Sequence, residues 1–311
     1  MRVSIVGATA TGKTALAVSY ARRTTNTELV SADAFCVYRD MDIGTAKPTA
    51  EERDGLCWHL LDICDPGEEY TVARFQEAAR VAVASIEERG HVPLVVGGTG
   101  LYHRAIVDDL KLPGQFPEVA ASLERQADEE GGLARLYDRL VELDPDAAAK
   151  ISPSNRRRLV RALEVVLGSG NRFSSFGPGL LHYGPSSFFC AGLSVPRAEL
   201  DERIALRLDA QFAAGFVDEV VELSRRPRGL SRTARQALGY KELLSYAAGE
   251  LTLAEARDAI IRHTKVLVRR QESWFRRDPR IVWLDATDPG LDAALDEAVA
   301  GARIERDPAR D

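Results

Sequence analysis

A short apolar run, Val3-Ser4-Ile5-Val6, leads without a break into Gly7-Ala8-Thr9-Ala10-Thr11-Gly12-Lys13-Thr14, and a helical stretch from Ala15 to Arg23 follows. The spacing is G-x-x-x-x-G-K-T. Strand, phosphate loop and helix in that order restrict the chain to a P-loop α/β fold. Gly7 and Gly12 let the backbone curl so that successive N–H groups face an anion. The positive end of the following helix adds its field at the same point. Lys13 brings a full charge, and the Thr14 hydroxyl is placed to contact a magnesium ion. The loop therefore predicts a di- or triphosphate cradle at Gly7, Ala8, Thr9, Ala10, Thr11, Gly12, Lys13 and Thr14, with Thr14 as the metal contact. It leaves open which phosphate compound binds.

Apolar runs at 2–6, 28–31 and 92–96 are predicted to be buried parallel strands, and further strands are predicted at 188–195 and 281–284. A helix is expected over 71–89, closed by Gly90. The alternation of strand and helix implies a P-loop NTPase-like, doubly wound parallel sheet. Pro113, Gly114 and Pro117 break this rhythm. From 118 to about 167 the pattern is helical, and a glycine-rich loop follows at 168–186. The expected organisation is a core of residues 1–112 and 188–285, a helical insertion of residues 113–187, and a short C-terminal tail, 286–311, holding a short helix and a loose end. Long amphipathic helices are predicted over 197–225 and 252–277.

With 311 residues, 45% hydrophobic and 28% charged, the chain has the composition of a soluble globular protein. No apolar run approaches membrane-spanning length. The N-terminal run is too short for a signal peptide, so a cytoplasmic protein without a membrane partner is expected. Cys36, Cys57, Cys64 and Cys190 form no C-x-x-C pair and read as reduced thiols. The net charge of −6 argues against a nucleic-acid binder, but its distribution matters more. Cations gather at Arg156, Arg157, Arg158 and Arg161, then from Arg225 to Lys241, then from Arg262 to Arg277. Such segregation suggests a basic face.

P-loop enzymes that hydrolyse ATP usually place an Asp at a strand end to hold magnesium. Here the strand Val92 to Val96 ends in Gly97-Gly98-Thr99, with no carboxylate. Asp33 follows the second strand instead, on the side where an acceptor substrate is held. That placement favours group transfer over a motor or switch ATPase.

The blocks Asp42-Ile43-Gly44-Thr45-Ala46-Lys47, Gly97-Gly98-Thr99-Gly100-Leu101-Tyr102, Gly239-Tyr240-Lys241-Glu242 and Arg269-Arg270-Gln271-x-x-Trp274-Phe275-Arg276 then closely resemble the tRNA dimethylallyltransferase family. Its members are isopentenyltransferases that modify the adenine just 3′ of the anticodon, in tRNAs reading codons that start with U. The resemblance runs from the P-loop to about Leu284. It implies that the adenine's exocyclic amine attacks the first carbon of dimethylallyl diphosphate and that diphosphate leaves. It also implies a magnesium requirement, a monomer, and an insertion that clamps the anticodon stem-loop.

Residue by residue, the resemblance assigns catalysis to Asp33, Thr99 and Arg207. Asp33 would take the amine proton, Arg207 would share the charge on the leaving diphosphate, and Thr99 would orient the amine or a diphosphate oxygen. It assigns tRNA contact to Asp33, Ala34, Phe35, Cys36, Thr99, Arg157, Arg158, Arg161, Gln236, Gly239, Tyr240, Lys241, Arg269, Arg270, Gln271, Trp274 and Arg276. Of Trp274 and Phe275, at least one is expected in the core. The chain departs from the family at Ala8, where a proline is usual. Ala34 and Cys36 stand at the serine and glutamine positions of D-S-x-Q, Ser154 lies in the usual P-N-D loop, and Ala120 replaces the arginine after P-E-V. An adenylate isopentenyltransferase, a nucleotide kinase and an RNA-binding protein with an idle P-loop are the alternatives. The long cationic segment at 262–277 speaks against the first, because a mononucleotide acceptor does not need it.

Overall fold

Val3 and Ile5 of the first strand, β1 (Arg2–Gly7), pack on one side of the sheet and Val6 on the other. Burial on both faces is why the central strands read as continuous apolar runs. The computed structural model describes residues 1–177 and 179–306. Its strands β1, β2 (Thr27–Ser31), β3 (Trp58–His59), β4 (Val92–Gly97), β5 (Phe188–Ser194) and β6 (Ile281–Asp285) form a six-stranded sheet of order β3-β2-β4-β1-β5-β6. Every neighbouring pair is parallel, with Val3 opposite Leu94 on one side and Phe189 on the other. The chain crosses β1 between β4 and β5, so a crevice opens beyond the carboxyl end of β1, where the P-loop begins.

The helices are α1 (Lys13–Arg23), α2 (Ala50–Arg53), α3 (Val72–Glu88), α4 (Gly100–Val107), α5 (Pro117–Asp128), α6 (Gly132–Leu143), α7 (Pro145–Ala148), α8 (Arg156–Ser169), α9 (Arg197–Ala213), α10 (Phe216–Arg225), α11 (Tyr240–Ala247), α12 (Leu253–Phe275) and α13 (Leu291–Arg306). Leu16, Ala17 and Tyr20 of α1, with Leu295 and Val299 of α13, cover the face made by Val3, Ile5, Leu29 and Leu94. Phe75, Tyr102, Phe216, Tyr240, Ile260 and Phe275, from α3, α4 and α10 to α12, cover the face of Val6, Val30, Val95 and Cys190. The sheet is thus doubly wound, as the alternating pattern required. Among the described residues no helix is long and apolar enough to cross a membrane.

Two compact units divide the chain: Met1–Asp109 together with the chain from Gly184 onward, and Leu110–Tyr183. The second unit is helical, built from α5 to α8 around Leu123, Leu136, Leu140, Leu159 and Leu163.

Three elements differ from expectation. The helix predicted over 197–225 is two helices, because Gly215 takes a left-handed φ of 97° between α9 and α10. The short helix expected in the tail is the 16-residue α13, longer than expected and tied to α1 by Arg23 with Asp292 and Asp296; residues 307–311 of that tail lie outside the described residues. The two-residue β3 pairs with β2 at the sheet edge.

Candidate active site

The P-loop leaves β1 through Gly7, where a Cβ would come within 3.0 Å of the Leu193 carbonyl and of Thr11 Oγ1. A side chain there would force its neighbours to give way. Gly12 takes φ 88° and nothing crowds its missing Cβ, so here the backbone conformation is what favours glycine. The loop holds itself through Thr11 Oγ1 and Lys13 Nζ, which donate to the Ala8 carbonyl at 2.9 and 2.5 Å. Lys13 and Thr14 open α1, whose positive end therefore lies at the loop.

Arg207 reaches the loop from α9, donating Nη1 to Thr9 Oγ1 at 3.2 Å. Burial, and then the Arg207 charge, bring the Lys13 pKa down to about 8, against the opposing pull of Asp33 and Cys36. Burial likewise lowers Arg207. Two cations held below their ordinary pKa beside a helix N-terminus are a site that an anion stabilises.

The acceptor side is built from the ends of β2 and β4. Asp33 Oδ1 accepts from Phe35 N at 2.8 Å and Cys36 N at 3.3 Å, so the carboxylate closes its own turn. Thr99 is the N-cap residue of α4, and its Oγ1 accepts from Ala34 N at 3.1 Å. The glycines around Thr99 each make room for a different neighbour. A Cβ on Gly97 would lie 2.4 Å from the Ala32 carbonyl, one on Gly98 2.6 Å from Gln271 Nε2, and one on Gly100 2.2 Å from the Trp274 ring. At position 97, where the clash is with backbone, there is no room for a carboxylate.

Beyond Asp33 the chain is clamped from below. Glu219 of α10 accepts from the backbone N–H of Asp42, Ile43 and Gly44 at 2.9, 2.7 and 3.1 Å, and from Tyr240 Oη at 2.5 Å. Buried Lys47 donates to the Tyr38 carbonyl, Asp42 and Asp62. The D-I-G-T-A-K block is therefore the buttress of the Asp33 turn. Glu219 was not anticipated, since on an amphipathic helix it reads as one more solvated acid, and no local pattern reveals its pairing with a backbone loop 175 or more positions away.

The other residues suggested for tRNA contact divide into two groups. Arg157, Arg158, Gln236, Lys241, Arg269, Arg270 and Arg276 are exposed. Gln236 and Lys241 line an open groove of about 650 Å³ together with Arg232 and Arg235, and Arg276 lies over the Trp283 ring at 4.8 Å. Several others lie inside the fold or are engaged by neighbouring residues. Tyr240 and Gly239 are buried: the Tyr240 hydroxyl belongs to Glu219, and a Cβ at Gly239 would strike Phe216 at 2.5 Å. Cys36 is buried, with its thiol toward Thr45, and burial foremost pushes that thiol up. Arg161 holds Glu164 at 2.8 Å and the carbonyls of Pro113 and Gly114, so it shapes the loop before α5. Ala34 and Phe35 are half-buried against the core, Trp274 is half-buried against Gly100, and Phe275 is in the core. Gln271 turns inward, between Thr9 N and the Gly98 carbonyl.

One cluster outside the crevice has metal-ligand character: Glu28, Cys57 and His59. Arg89 is already bonded to both Glu28 oxygens, and His91 to one of them. The carboxylate an ion would need is therefore taken by a fixed cation, and the cluster is a hydrogen-bonded lock at the sheet edge.

The family model described as IPP transferase matches residues 36–278, and that described as isopentenyl transferase matches residues 1–63. The chain is 46% identical over 298 residues to a tRNA dimethylallyltransferase of Nocardioides sp., covering 96% of this chain and 94% of the relative. It is 48% identical over 303 residues to one of Salinispora arenicola, covering 96% and 86%. Among solved structures it is similar to the tRNA isopentenylpyrophosphate transferase of Bacillus halodurans, with a TM-score of 0.72, 38% identity and coverage of 99% and 97%. It is also similar to a eukaryotic dimethylallyltransferase captured acting on tRNA, with a TM-score of 0.76, 25% identity and coverage of 98% and 78%.

Proposed function

This chain belongs to the IPP transferase family, and we propose that it is a tRNA dimethylallyltransferase whose crevice brings dimethylallyl diphosphate and a tRNA adenine together. The reading rests chiefly on one observation: Lys13, Arg207, Asp33 and Thr99 converge at the carboxyl end of β1, β2 and β4, with cations on one side and a carboxylate on the other. The diphosphate lies against the P-loop, Lys13 and Arg207. The exocyclic amine of the adenine 3′ to the anticodon enters beside Asp33 and Thr99. Its lone pair forms the N–C1 bond as the C1–O bond breaks, and the leaving oxygen's charge is taken up by Lys13, Arg207 and the loop amides. The amine proton passes to Asp33 Oδ2, the oxygen its turn does not use.

The donor set suits magnesium. Thr14 offers one hydroxyl at the start of α1, and β4 supplies no carboxylate, which matches an ion that keeps water and takes most of its oxygens from a diphosphate. Bound there, it would neutralise part of the diphosphate charge. The exposed Arg157, Arg158, Arg269, Arg270 and Lys241 suit phosphate positioning on the anticodon stem-loop. A monomer, which the family resemblance implies, and a cytoplasmic location are part of the same proposal.

The test is incubation with dimethylallyl diphosphate, magnesium and unmodified tRNA reading codons that start with U, followed by nucleoside mass analysis. One dimethylallyl group on the adenine after the anticodon is the expected outcome. Transfer to AMP but not to tRNA would make it an adenylate isopentenyltransferase, and transfer to neither would end the transferase reading.

A further inference from the structure

The P-loop and the Thr99 turn end two different strands, β1 and β4, and sheet pairing stops before either loop does its work. A single carboxamide spans them. Gln271, on α12, accepts the Thr9 N–H on Oε1 at 2.9 Å and donates Nε2 to the Gly98 carbonyl at 2.9 Å. Both partners are backbone, so this side chain senses where the two loops lie, whatever side chains they carry. The line continues at each end. Thr9 Oγ1 accepts from Arg207, and Thr99, next to Gly98, accepts from Ala34 N beside Asp33. Gly98 makes the arrangement possible, because a Cβ there would come within 2.6 Å of Gln271 Nε2.

We propose that Gln271 is a positioning residue: it sets the spacing between the residues that receive the leaving diphosphate and those that receive the attacking amine. The proposal rests on the transferase reading above. A displacement at carbon needs nucleophile, carbon and leaving oxygen in line, and a misplacement of about 1 Å in such a geometry costs on the order of a hundredfold in rate. Gln271 is thereby separated from its neighbours Arg269 and Arg270, which are exposed on the same helix and serve the RNA.

Gln271→Met keeps the length and packing of the side chain and removes both hydrogen bonds. It is expected to lower the single-turnover rate by about tenfold or more while leaving the Kd for tRNA and for the donor within about twofold. The Thr9 amide, hydrogen-bonded to Gln271, should be protected from hydrogen exchange in the parent protein and should exchange faster in the variant. Gly98→Ala puts a Cβ 2.6 Å from Nε2 and 3.2 Å from the Gly7 carbonyl, so it displaces the carboxamide and also presses on the P-loop, and its defect should be at least as large as that of Gln271→Met. The double variant should be no slower than the worse single one, because both remove the same tie. A Gln271→Met rate within about twofold of the parent would overturn the proposal. So would a loss confined to tRNA affinity, which would make Gln271 an RNA contact, or a Thr9 amide that exchanges equally fast in both proteins. A parent enzyme that transfers nothing would sink the transferase reading instead; the Thr9 amide, whose protection does not depend on turnover, would still decide for or against the tie.

Discussion

The Arg207 guanidinium acts on the Lys13 ammonium: burial first, and then that neighbouring charge, hold Lys13 at a pKa of about 8. A bound diphosphate reverses the sign of the local field and raises Lys13 again. Below pH 8 Lys13 is protonated with or without ligand, and donor affinity should be flat. Above it the ligand-free protein loses the proton and must regain it on binding, so affinity should fall by up to about tenfold per pH unit. Calorimetry at pH 8.5 in buffers of different ionisation heat should show proton uptake on binding dimethylallyl diphosphate, and Lys13→Met should abolish it. A pH-independent affinity up to pH 9 would contradict this picture of the cradle.

Asp33 has two duties that one substitution can separate. Oδ1 closes the turn over Phe35 and Cys36, and an asparagine oxygen accepts the same bonds. Asp33→Asn should therefore keep the fold and the tRNA affinity, yet lose about a hundredfold to ten-thousandfold in turnover as the proton acceptor disappears. Asp33→Ala removes the turn as well, and its melting temperature should fall where that of Asp33→Asn does not. Equal melting losses in both variants with little change in rate would make Asp33 a structural residue.

Glu219 and Tyr240 predict a stability effect without an RNA effect. Replacing Tyr240 by Phe leaves its half-buried carboxylate partner short of one hydrogen bond and should cost about 1 to 2 kcal/mol, read by urea denaturation. Since the ring is fully buried, tRNA affinity should not change. Weaker tRNA binding at unchanged stability would restore Tyr240 to the RNA interface. Glu219→Ala orphans three backbone N–H groups at once and should be the more damaging change.

These residues also show what the sequence could and could not reveal. The P-loop was legible because its chemistry is local: eight consecutive residues carry the turn, the charge and the helix start. The buried strands were legible by their unbroken apolar runs. The burial of Tyr240, Gly239 and Cys36 was not legible, because a conspicuous block of residues looks the same whether it faces outward or packs inside on a partner such as Glu219, which lies 175 or more positions away from the amides of residues 42–44 that it accepts from. The glycines at 97, 98 and 100 are demanded by Ala32, Gln271 and Trp274, a steric requirement that appears only once the chain has folded. β3 has two residues and therefore no period to detect, and α13 was underestimated because an alanine- and aspartate-rich segment shows its apolar stripe only against α1.

His103 sets the acid limit of the fold. It is buried under β1, with Nε2 and Ser4 Oγ 2.9 Å apart and its ring edge-on to Phe275 at 5.8 Å. Burial lowers its pKa to about 4, so the folded protein holds it neutral while the unfolded chain protonates near pH 6.5. The stability this lends is fully present above pH 6.5 and is lost as pH falls toward 4, because there the unfolded state binds the extra proton. The whole window corresponds to about 3 kcal/mol, of which roughly 2 kcal/mol should be gone by pH 5. Glu28 acts lower down. Against the upward push of burial, hydrogen bonds from Arg89, His59 and others bring it to about 2, so its contribution is complete above about pH 4.5 and fails only below that. Urea denaturation at half-unit steps separates the two. Stability of the parent should decline between pH 6.5 and 4.5, and His103→Gln, less stable at pH 7, should be flat across that range while still collapsing at lower pH. A His103→Gln variant whose stability falls with the same slope as the parent would show that the acid sensitivity arises elsewhere.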